Sequence, residues 1–452
     1  MQIGGYFRGK KITIMGLGLL GRGLGDVRFL AEEGAELIVT DLKTKEQLAD
    51  SLKALQDLPN ITYILGEHRL KDFQDRDMIV KAAGVPLDSP YIAEARKNNI
   101  PIEMDASLFA KLTIGVTIIG ITGTRGKTTT TSLVYEIAKR HFDGTGTKVF
   151  LGGNIKGTAT LPLILDVKAG DVMVLELDSW QLQGFGEAKI SPHISVFTNF
   201  MDDHLNYYKG NRDLYLEDKA QIFLNQTKGD VCITSDALAL EIVKRYGKDM
   251  KGALIKAKPG KIPLDWKPYI RGEHNRENIA LAIEAGKALG ATMEEIQEAI
   301  ERFRGVPGRL EFLVNYKGVY FYNDTCATTP DATLAGLKTL SFNKNVILIM
   351  GGADKGLNMD KLIHALPEYT KEVILLTGVN TTGSDRIKDV ILKFPSIKAV
   401  LSTSLEGAVG QALLTAEKGD TILFSPAFAS FGMFKNEYDR GDKFNEVVKN
   451  LK

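Results

Sequence analysis

Two glycine-rich turns, each entered from a short β-branched run and left on a helical pattern, set the limits on what this chain can fold into. The first is Lys11–Met15 followed by Gly16-Leu17-Gly18-Leu19-Leu20-Gly21. The second is Val116–Gly120 followed by Ile121-Thr122-Gly123-Thr124-Arg125-Gly126-Lys127-Thr128-Thr129, with a helical pattern over Ser132–Arg140. Strand, tight turn and helix are the repeating unit of a parallel α/β sheet, whose ligands sit at the C-terminal ends of the strands. The pattern continues in Glu36–Thr40, Val172–Glu176, Ile194–Thr198, Val346–Met350, Val373–Thr377 and Thr421–Phe424. An α/β fold is therefore expected from end to end. Breaks at Asn98–Pro101 and at Gly305-Val306-Pro307-Gly308 place three domains at about 1–112, 113–306 and 307–452.

The 452 residues suffice for that many cores, and composition narrows the class further. Lys+Arg 57 against Asp+Glu 56 leaves a net charge of +1, too little for a protein whose main partner is nucleic acid. Cys232 and Cys326 cannot make a disulfide framework. The start, Met1-Gln2-Ile3-Gly4, lacks the apolar run of a signal peptide, and no stretch is apolar for long enough to insert in a membrane, so a cytoplasmic protein is expected.

Each turn carries its own chemistry. Gly16–Gly21 is a complete GxGxxG fingerprint, and Asp41, at the end of the second strand, stands where an acid bonds a ribose hydroxyl. Glycines let a diphosphate approach the backbone, and the helix start supplies N–H donors. NAD(P) is the obvious nucleotide, which keeps an oxidoreductase open as one reading. The second turn argues against it, because Gly126-Lys127-Thr128 offers a triphosphate a nest of N–H groups, an ammonium and a hydroxyl for Mg²⁺. Ile121 stands where the general pattern has glycine, so the loop is a compact Gly123-x-x-Gly126-Lys127-Thr128 variant. Glu176 ends a strand beside this loop, and Asn199, Asp203 and His204 follow another; a carboxylate and an imidazole at a triphosphate suit Mg²⁺. Lys219, in Asp218-Lys219-Ala220-Gln221, reads from sequence alone as a surface salt-bridge lysine. A nucleotide-binding protein without catalysis is a further alternative, against which the set Lys127, Glu176, His204 and Lys219 weighs.

Taken together, the motifs resemble the Mur ligase family over essentially the whole chain. They include Gly16–Gly21 with Asp41-Leu42-Lys43, Ala83-Gly84-Val85-Pro86, Thr122–Thr129, Gly152-Gly153-Asn154-Ile155 and Glu176-Leu177-Asp178-Ser179-Trp180-Gln181. Further on come Asp203-His204-Leu205, Asp218-Lys219, Gly272–Asn278, Pro307–Glu311, Asn323-Asp324 with Ala327-Thr328, Gly351-Gly352 and Ser425–Ser430. The resemblance implies a Rossmann-like N-terminal domain, a central P-loop ATPase-like domain and a Rossmann-like C-terminal domain. It implies a peptidoglycan-precursor ligase, most similar to the branch that adds D-glutamate to UDP-N-acetylmuramoyl-L-alanine with ATP, two Mg²⁺ and an acyl-phosphate intermediate. A monomer is expected.

Carried over by position, Gly16, Leu17, Gly18, Leu19, Leu20 and Gly21 lie near the diphosphate, Asp41, Leu42 and Lys43 near the uridine, and Gly84 also belongs to the UDP-substrate site. Asn154 and Gln181 hold the sugar-linked substrate. Gly123, Thr124, Arg125, Gly126, Lys127, Thr128 and Thr129 hold the ATP phosphates, with Asn275 and Asn278 at the adenine and Arg309 and Asp324 reaching ATP from the third domain. Thr128, Glu176, His204 and Lys219 hold the Mg²⁺ ions, Lys219 as a carbamate; Thr328, Lys355 and Ser430 take the amino acid. Three positions depart from the family pattern: Cys326 replaces a lysine, Asp178 a serine and Glu437 an aromatic. They leave L-glutamate or another amino acid open as the acceptor.

Overall fold

A computed structural model describes residues 5–18, 21–155, 157–204 and 207–451. Among them the strands form three sheets. The first holds β1 (Lys11–Met15), β2 (Glu36–Asp41), β3 (Ile61–Leu65), β4 (Met78–Lys81) and β5 (Ile102–Glu103), in the order β3-β2-β1-β4-β5, all parallel. The chain leaves β1 for β2 on one side and returns to β4 on the other. The Gly16 turn therefore opens at a topological switch point, the crevice where such sheets bind ligands.

The second sheet holds β6 (Thr117–Thr122), β7 (Val149–Gly153), β8 (Val172–Glu176), β9 (Ile194–Phe197), β10 (Val231–Ser235) and β11 (Ala253–Ala257). Its order is β11-β10-β9-β6-β8-β7, again parallel. Strands β8 and β9 are buried at every residue, as expected of parallel strands covered by helices on both faces. The phosphate turn follows β6, between the ends of β8 and β9.

One compact unit contains both sheets, residues 1–267 with 277–302, and a single apolar cluster runs from Phe7 through Phe109 and Phe185 to Ile242. Helix Asp105–Leu112 packs on helix Ser179–Ala188, and helix Arg22–Glu32 packs on the turn Leu161–Leu165. Gly25 is required there, since a Cβ would stand 2.5 Å from that of Ala159.

The other unit, residues 268–276 with 303–452, has its own sheet and cores. Its strands are β12 (Glu311–Tyr316), β13 (Val319–Asn323), β14 (Val346–Met350), β15 (Thr370–Leu376), β16 (Ala399–Ser402) and β17 (Thr421–Phe424), in the order β12-β13-β17-β14-β15-β16. Only β12 and β13 are antiparallel, joined by Lys317-Gly318, both at positive φ, as a tight two-residue hairpin turn demands. Among the described residues no helix is long and apolar enough to cross a membrane.

Candidate functional site

The phosphate turn is clamped from the segment after β9. Asn199 accepts the Arg125 N–H through its side chain at 2.9 Å and the Thr124 N–H through its backbone oxygen at 3.0 Å, while Thr198 donates to the Arg125 carbonyl at 2.5 Å. The Arg125 guanidinium pairs with Asp203 at 2.7 Å. Burial disfavours the charged carboxylate, but the Arg125 guanidinium, helped by the His204 backbone N–H at 2.9 Å, outweighs it and holds Asp203 at about 2. Gly123, at φ +148, has no room for a Cβ against Thr198, and Gly126, at φ +79, none against Asn278. Gly126 starts helix Lys127–His141 with no capping side chain, which leaves the helix start available to an anion. Lys127 lies over the loop, donating to the Gly123 and Thr124 carbonyls at 3.0 and 3.3 Å. Thr128 and buried Thr129 occupy the first helical turn, and Asn278 accepts from Thr130 at 3.2 Å.

Glu176 pairs with Ile121 across the sheet, so its carboxylate emerges beside the turn. Asn154 donates to one oxygen at 3.4 Å; the other oxygen is buried without a partner. A buried orphan oxygen next to a phosphate turn fits a hard cation. His204 lies at φ +54, its ring 4.8 Å from Trp180 and its Nε2 3.8 Å from Asp203. Burial first, then the charges of Lys127 and Lys219, lower its pKa and favour the neutral imidazole that ligates metals.

Lys219 is no surface residue: its relative exposure is 1%. Its amine donates to the Gly123 carbonyl at 2.9 Å and to Thr122 Oγ1 at 3.3 Å, over the ring of Tyr215. Burial, with Lys127 as the next cause, drives its pKa well below the usual lysine value. The salt-bridge reading is therefore overturned. Among the described residues no three His, Cys, Asp or Glu side chains form a metal cluster. A divalent ion here would rely on Thr128, Glu176, His204, modified Lys219 and phosphate oxygens, a donor set of the kind Mg²⁺ accepts.

At the first turn, Asp41 is 4% exposed and its oxygens already serve the backbone. One accepts the N–H groups of Leu17 and Gly18 at 2.9 and 3.2 Å, the other that of Lys43 at 2.9 Å. Asp41 thus holds the turn in shape in addition to any contact with ribose. Gly16, at φ +97, faces Ala82, and Gly21, at φ +86, starts helix Arg22–Glu32 without a side-chain cap. Leu19 and Leu20 lie outside the described residues. Leu42 and Gly84 are exposed, and the Lys43 amine is 3.7 Å from Asp41. Asp41→Ala is expected to raise the KM for the UDP-linked substrate with little change in kcat and to lower Tm by a few degrees, because the N–H groups of Leu17, Gly18 and Lys43 lose their acceptor. Unchanged KM together with unchanged Tm in a thermal scan would overturn this role.

Gln181 and Asp178 form a reciprocal capping box at the start of helix Ser179–Ala188, at 2.7 and 3.3 Å. The Asp178 departure is thereby explained: aspartate and serine cap equally well. The Gln181 side-chain nitrogen is buried without a partner, as suits a substrate donor.

On the second unit, Asp324 follows β13. Its oxygens accept from Leu310 N–H at 3.0 Å and Ser425 Oγ at 2.8 Å, and burial raises its pKa to about 7. Lys355 donates to Thr328 at 2.9 Å, so two expected amino-acid residues meet; Ser430 is buried, Asn275 donates to the Arg271 carbonyl at 2.8 Å, and Arg309 is half-buried. The loop between Ser425 and Ser430 is strained at Ala427, φ +64. Sequence reasoning missed Arg440. This fully buried arginine donates to Thr325 Oγ1 at 3.1 Å, to the Thr325 carbonyl at 2.8 Å and to the Phe428 carbonyl at 3.1 Å, and so ties the Asp324–Thr328 loop to the Pro426–Ser430 loop. Burial lowers its pKa to about 10, while the charge of Glu437 opposes that fall. Glu437 therefore faces a cation three residues on. Burial raises the Cys326 thiol and keeps it neutral.

Three sheets, two of them with a glycine-rich turn at the head of a central parallel strand, define a multidomain α/β protein of the nucleotide-binding type of architecture. Three family profiles match in order: "Mur ligase MurD-like, N-terminal domain" at residues 10–103, "Mur ligase middle domain" at 121–286 and "Mur ligase, glutamate ligase domain" at 308–428. The chain belongs to the Mur ligase family. It is 36% identical to the UDP-N-acetylmuramoylalanine--D-glutamate ligase of Roseiflexus sp. (strain RS-1), over 98% of this chain and 99% of that one. It is 34% identical to the ligase of the same name from Clostridioides difficile, over 98% and 99%. Among solved structures, UDP-N-acetylmuramate-alanine ligase MurC of Thermotoga maritima shares the fold at TM-score 0.62 and 22% identity, over 98% of this chain and 100% of that one. MurF ligase of the same organism, in complex with ADP, aligns at TM-score 0.58 and 18% identity, over 98% and 96%.

Proposed function

We propose that this chain is the ATP-dependent ligase that joins D-glutamate to UDP-N-acetylmuramoyl-L-alanine in peptidoglycan precursor synthesis. The observation that carries the reading is its similarity, over nearly the whole length, to ligases of that name. Residues 1–112 hold the UDP moiety, 113–306 bind ATP, and 307–452 take the amino acid.

A carboxylate does not accept an amine at neutral pH, because oxide is too poor a leaving group. An oxygen of the substrate carboxylate attacks the γ-phosphorus of ATP and ADP leaves, giving an acyl phosphate. The neutral amine of glutamate then attacks the carbonyl carbon, phosphate departs and the amine proton is lost. Thr128, Glu176, His204 and Lys219 would hold Mg²⁺, which would supply positive charge against the phosphate oxygens. Lys127 and the N–H groups of the Gly123–Thr128 turn stabilise charge on the transferred phosphoryl group. Lys219 becomes a ligand by adding CO₂: its neutral amine attacks the carbon, a proton leaves, and the product is an anionic carbamate. Its burial favours the neutral amine that this step needs.

Purified protein with ATP, Mg²⁺ and UDP-N-acetylmuramoyl-L-alanine, assayed for phosphate release against D- and L-amino acids, tests the reading. D-glutamate is expected to be preferred, and Cys326→Lys to lower its KM about tenfold, the effect of restoring one charged hydrogen bond. If another amino acid is strongly preferred, or the restored lysine weakens ligation, the acceptor is not D-glutamate.

A further inference from the structure

Lys81 is the last residue of β4 and pairs with Met15 of β1, directly before the Gly16 turn. It is 2% exposed, and no expected role uses it. Its ammonium donates to the carbonyls of Val85 at 3.0 Å and Ala83 at 3.5 Å, the two flanks of Gly84. It also donates to Gln183 Oε1 at 3.4 Å, on helix Ser179–Ala188. Gln183 passes the connection on through Nε2, to Asp218 at 2.7 Å and to the Tyr207 hydroxyl at 3.2 Å. Asp218 also accepts the Tyr208 hydroxyl at 2.9 Å and immediately precedes Lys219.

A chain of hydrogen bonds thus runs from the first sheet, beneath Gly84, to the helix Arg212–Leu224 that carries Lys219. Burying an ammonium whose contacts are carbonyls and an amide is costly, and an apolar side chain of similar length would fill the space without that cost. The acids facing it, Asp178, Asp218, Glu187 and Asp105, act at longer range, and burial lowers its pKa to about 8. What the ammonium provides that an apolar chain cannot is a fixed geometry for two carbonyls of an exposed turn and a polar tie to the second sheet.

We propose that Lys81 is a positioning residue for the UDP-linked substrate, holding the Ala83–Val85 turn at the switch point and joining it through Gln183 and Asp218 to the helix of Lys219. The proposal rests on the reading that the first domain binds the UDP moiety at Gly84. The test uses the full chain as wild type, Lys81→Met, Lys81→Arg and Gln183→Met, with calorimetric titration of UDP and steady-state kinetics.

Lys81→Met is expected to raise the UDP-sugar KM and the UDP Kd at least about tenfold, as loss of a charged hydrogen bond does, with the ATP KM unchanged within about twofold. Lys81→Arg recovers part of that loss, and Gln183→Met shows a smaller rise of the same pattern. A folded Lys81→Met with unchanged UDP Kd overturns the proposal. So does an equal rise in both KM values, which reports general loosening. If Lys81→Met does not fold, Gln183→Met decides by the same ratio of the two KM values. Wild-type protein that binds no UDP overturns the reading of the first domain itself, an outcome distinct from normal wild-type binding with an indifferent Lys81.

Discussion

Lys219→Ala is expected to abolish ligation, and acetate or another short carboxylate is expected to restore part of it. The residue is buried, its amine rests on the carbonyl of Gly123 in the phosphate turn, and its pKa is driven far below that of a surface lysine by burial and by Lys127. A neutral amine in that position is a nucleophile for CO₂, and the proposed carbamate would carry the charge of a carboxylate beside the Gly123 turn. On that proposal, removing the side chain would remove one metal ligand and open a space that a small carboxylate can enter. The mutation also leaves Thr122 and Gly123 without this donor, a cost of about 1–3 kcal/mol in stability, so activity must be compared on folded protein. Retention of activity within a few-fold would show that Lys219 is structural. Inactivity without any rescue in a carboxylate series would remove the carbamate and leave only a packing role.

How much of the fold the sequence disclosed follows from where strands are buried. Lys11–Met15, Val172–Glu176, Val346–Met350 and Thr421–Phe424 have the bounds read from their β-branched runs, because central parallel strands are apolar on both faces and end in glycine or polar turns. Several of the strands that escaped notice lack that signal, whereas β4 and β10 carry it in runs of only four and five residues. β3 is half-exposed, β5 has two residues, β7 ends in two glycines, and β12 alternates in an edge hairpin. The phosphate-loop helix begins at Lys127, five residues before the expected Ser132. Thr128–Thr131 are poor helix formers by intrinsic propensity, but Thr129, Thr130 and Thr131 are buried, and packing overrides the propensity.

The site was legible where chemistry and strand ends coincide. Gly126-Lys127-Thr128 follows a strand directly, and Glu176 is the last residue of another, so position in the element placed both. Lys219 and Arg440 work by long-range contact: the first reaches Gly123, 96 residues away, and the second Thr325, 115 away. No local pattern reports such a meeting; only the resemblance singled out Lys219, and nothing singled out Arg440. Asp41 shows the reverse case. Its position at the end of β2 marked it as a ligand of the nucleotide, while its carboxylate is committed to the N–H groups of Leu17, Gly18 and Lys43. An acid at the end of the second strand can shape the glycine turn as well as read the sugar, and sequence alone does not separate the two.

Lys127→Ala is expected to abolish ATP turnover while leaving the fold intact. The side chain fills no core volume: Lys127 is half-buried at the head of the sheet and bonds to the Gly123 and Thr124 carbonyls of its own loop. The glycine conformations and the Asn199, Thr198 and Asp203 clamps that shape this loop do not depend on its ammonium. Its loss should therefore be felt in the reaction, where charge gathers on the phosphoryl group as the carboxylate approaches. Deleting one preorganised donor of this kind costs about 10²–10³ in kcat, and here a full positive charge goes with it. Lys127→Arg is not expected to recover the rate, because a planar fork cannot occupy the place of a compact ammonium inside a closed loop. UDP binding at the first turn should be unchanged, which separates a phosphate-loop defect from general damage. A folded Lys127→Ala enzyme that turns over ATP at near-normal rate would remove the Gly123–Thr128 turn from the catalytic site.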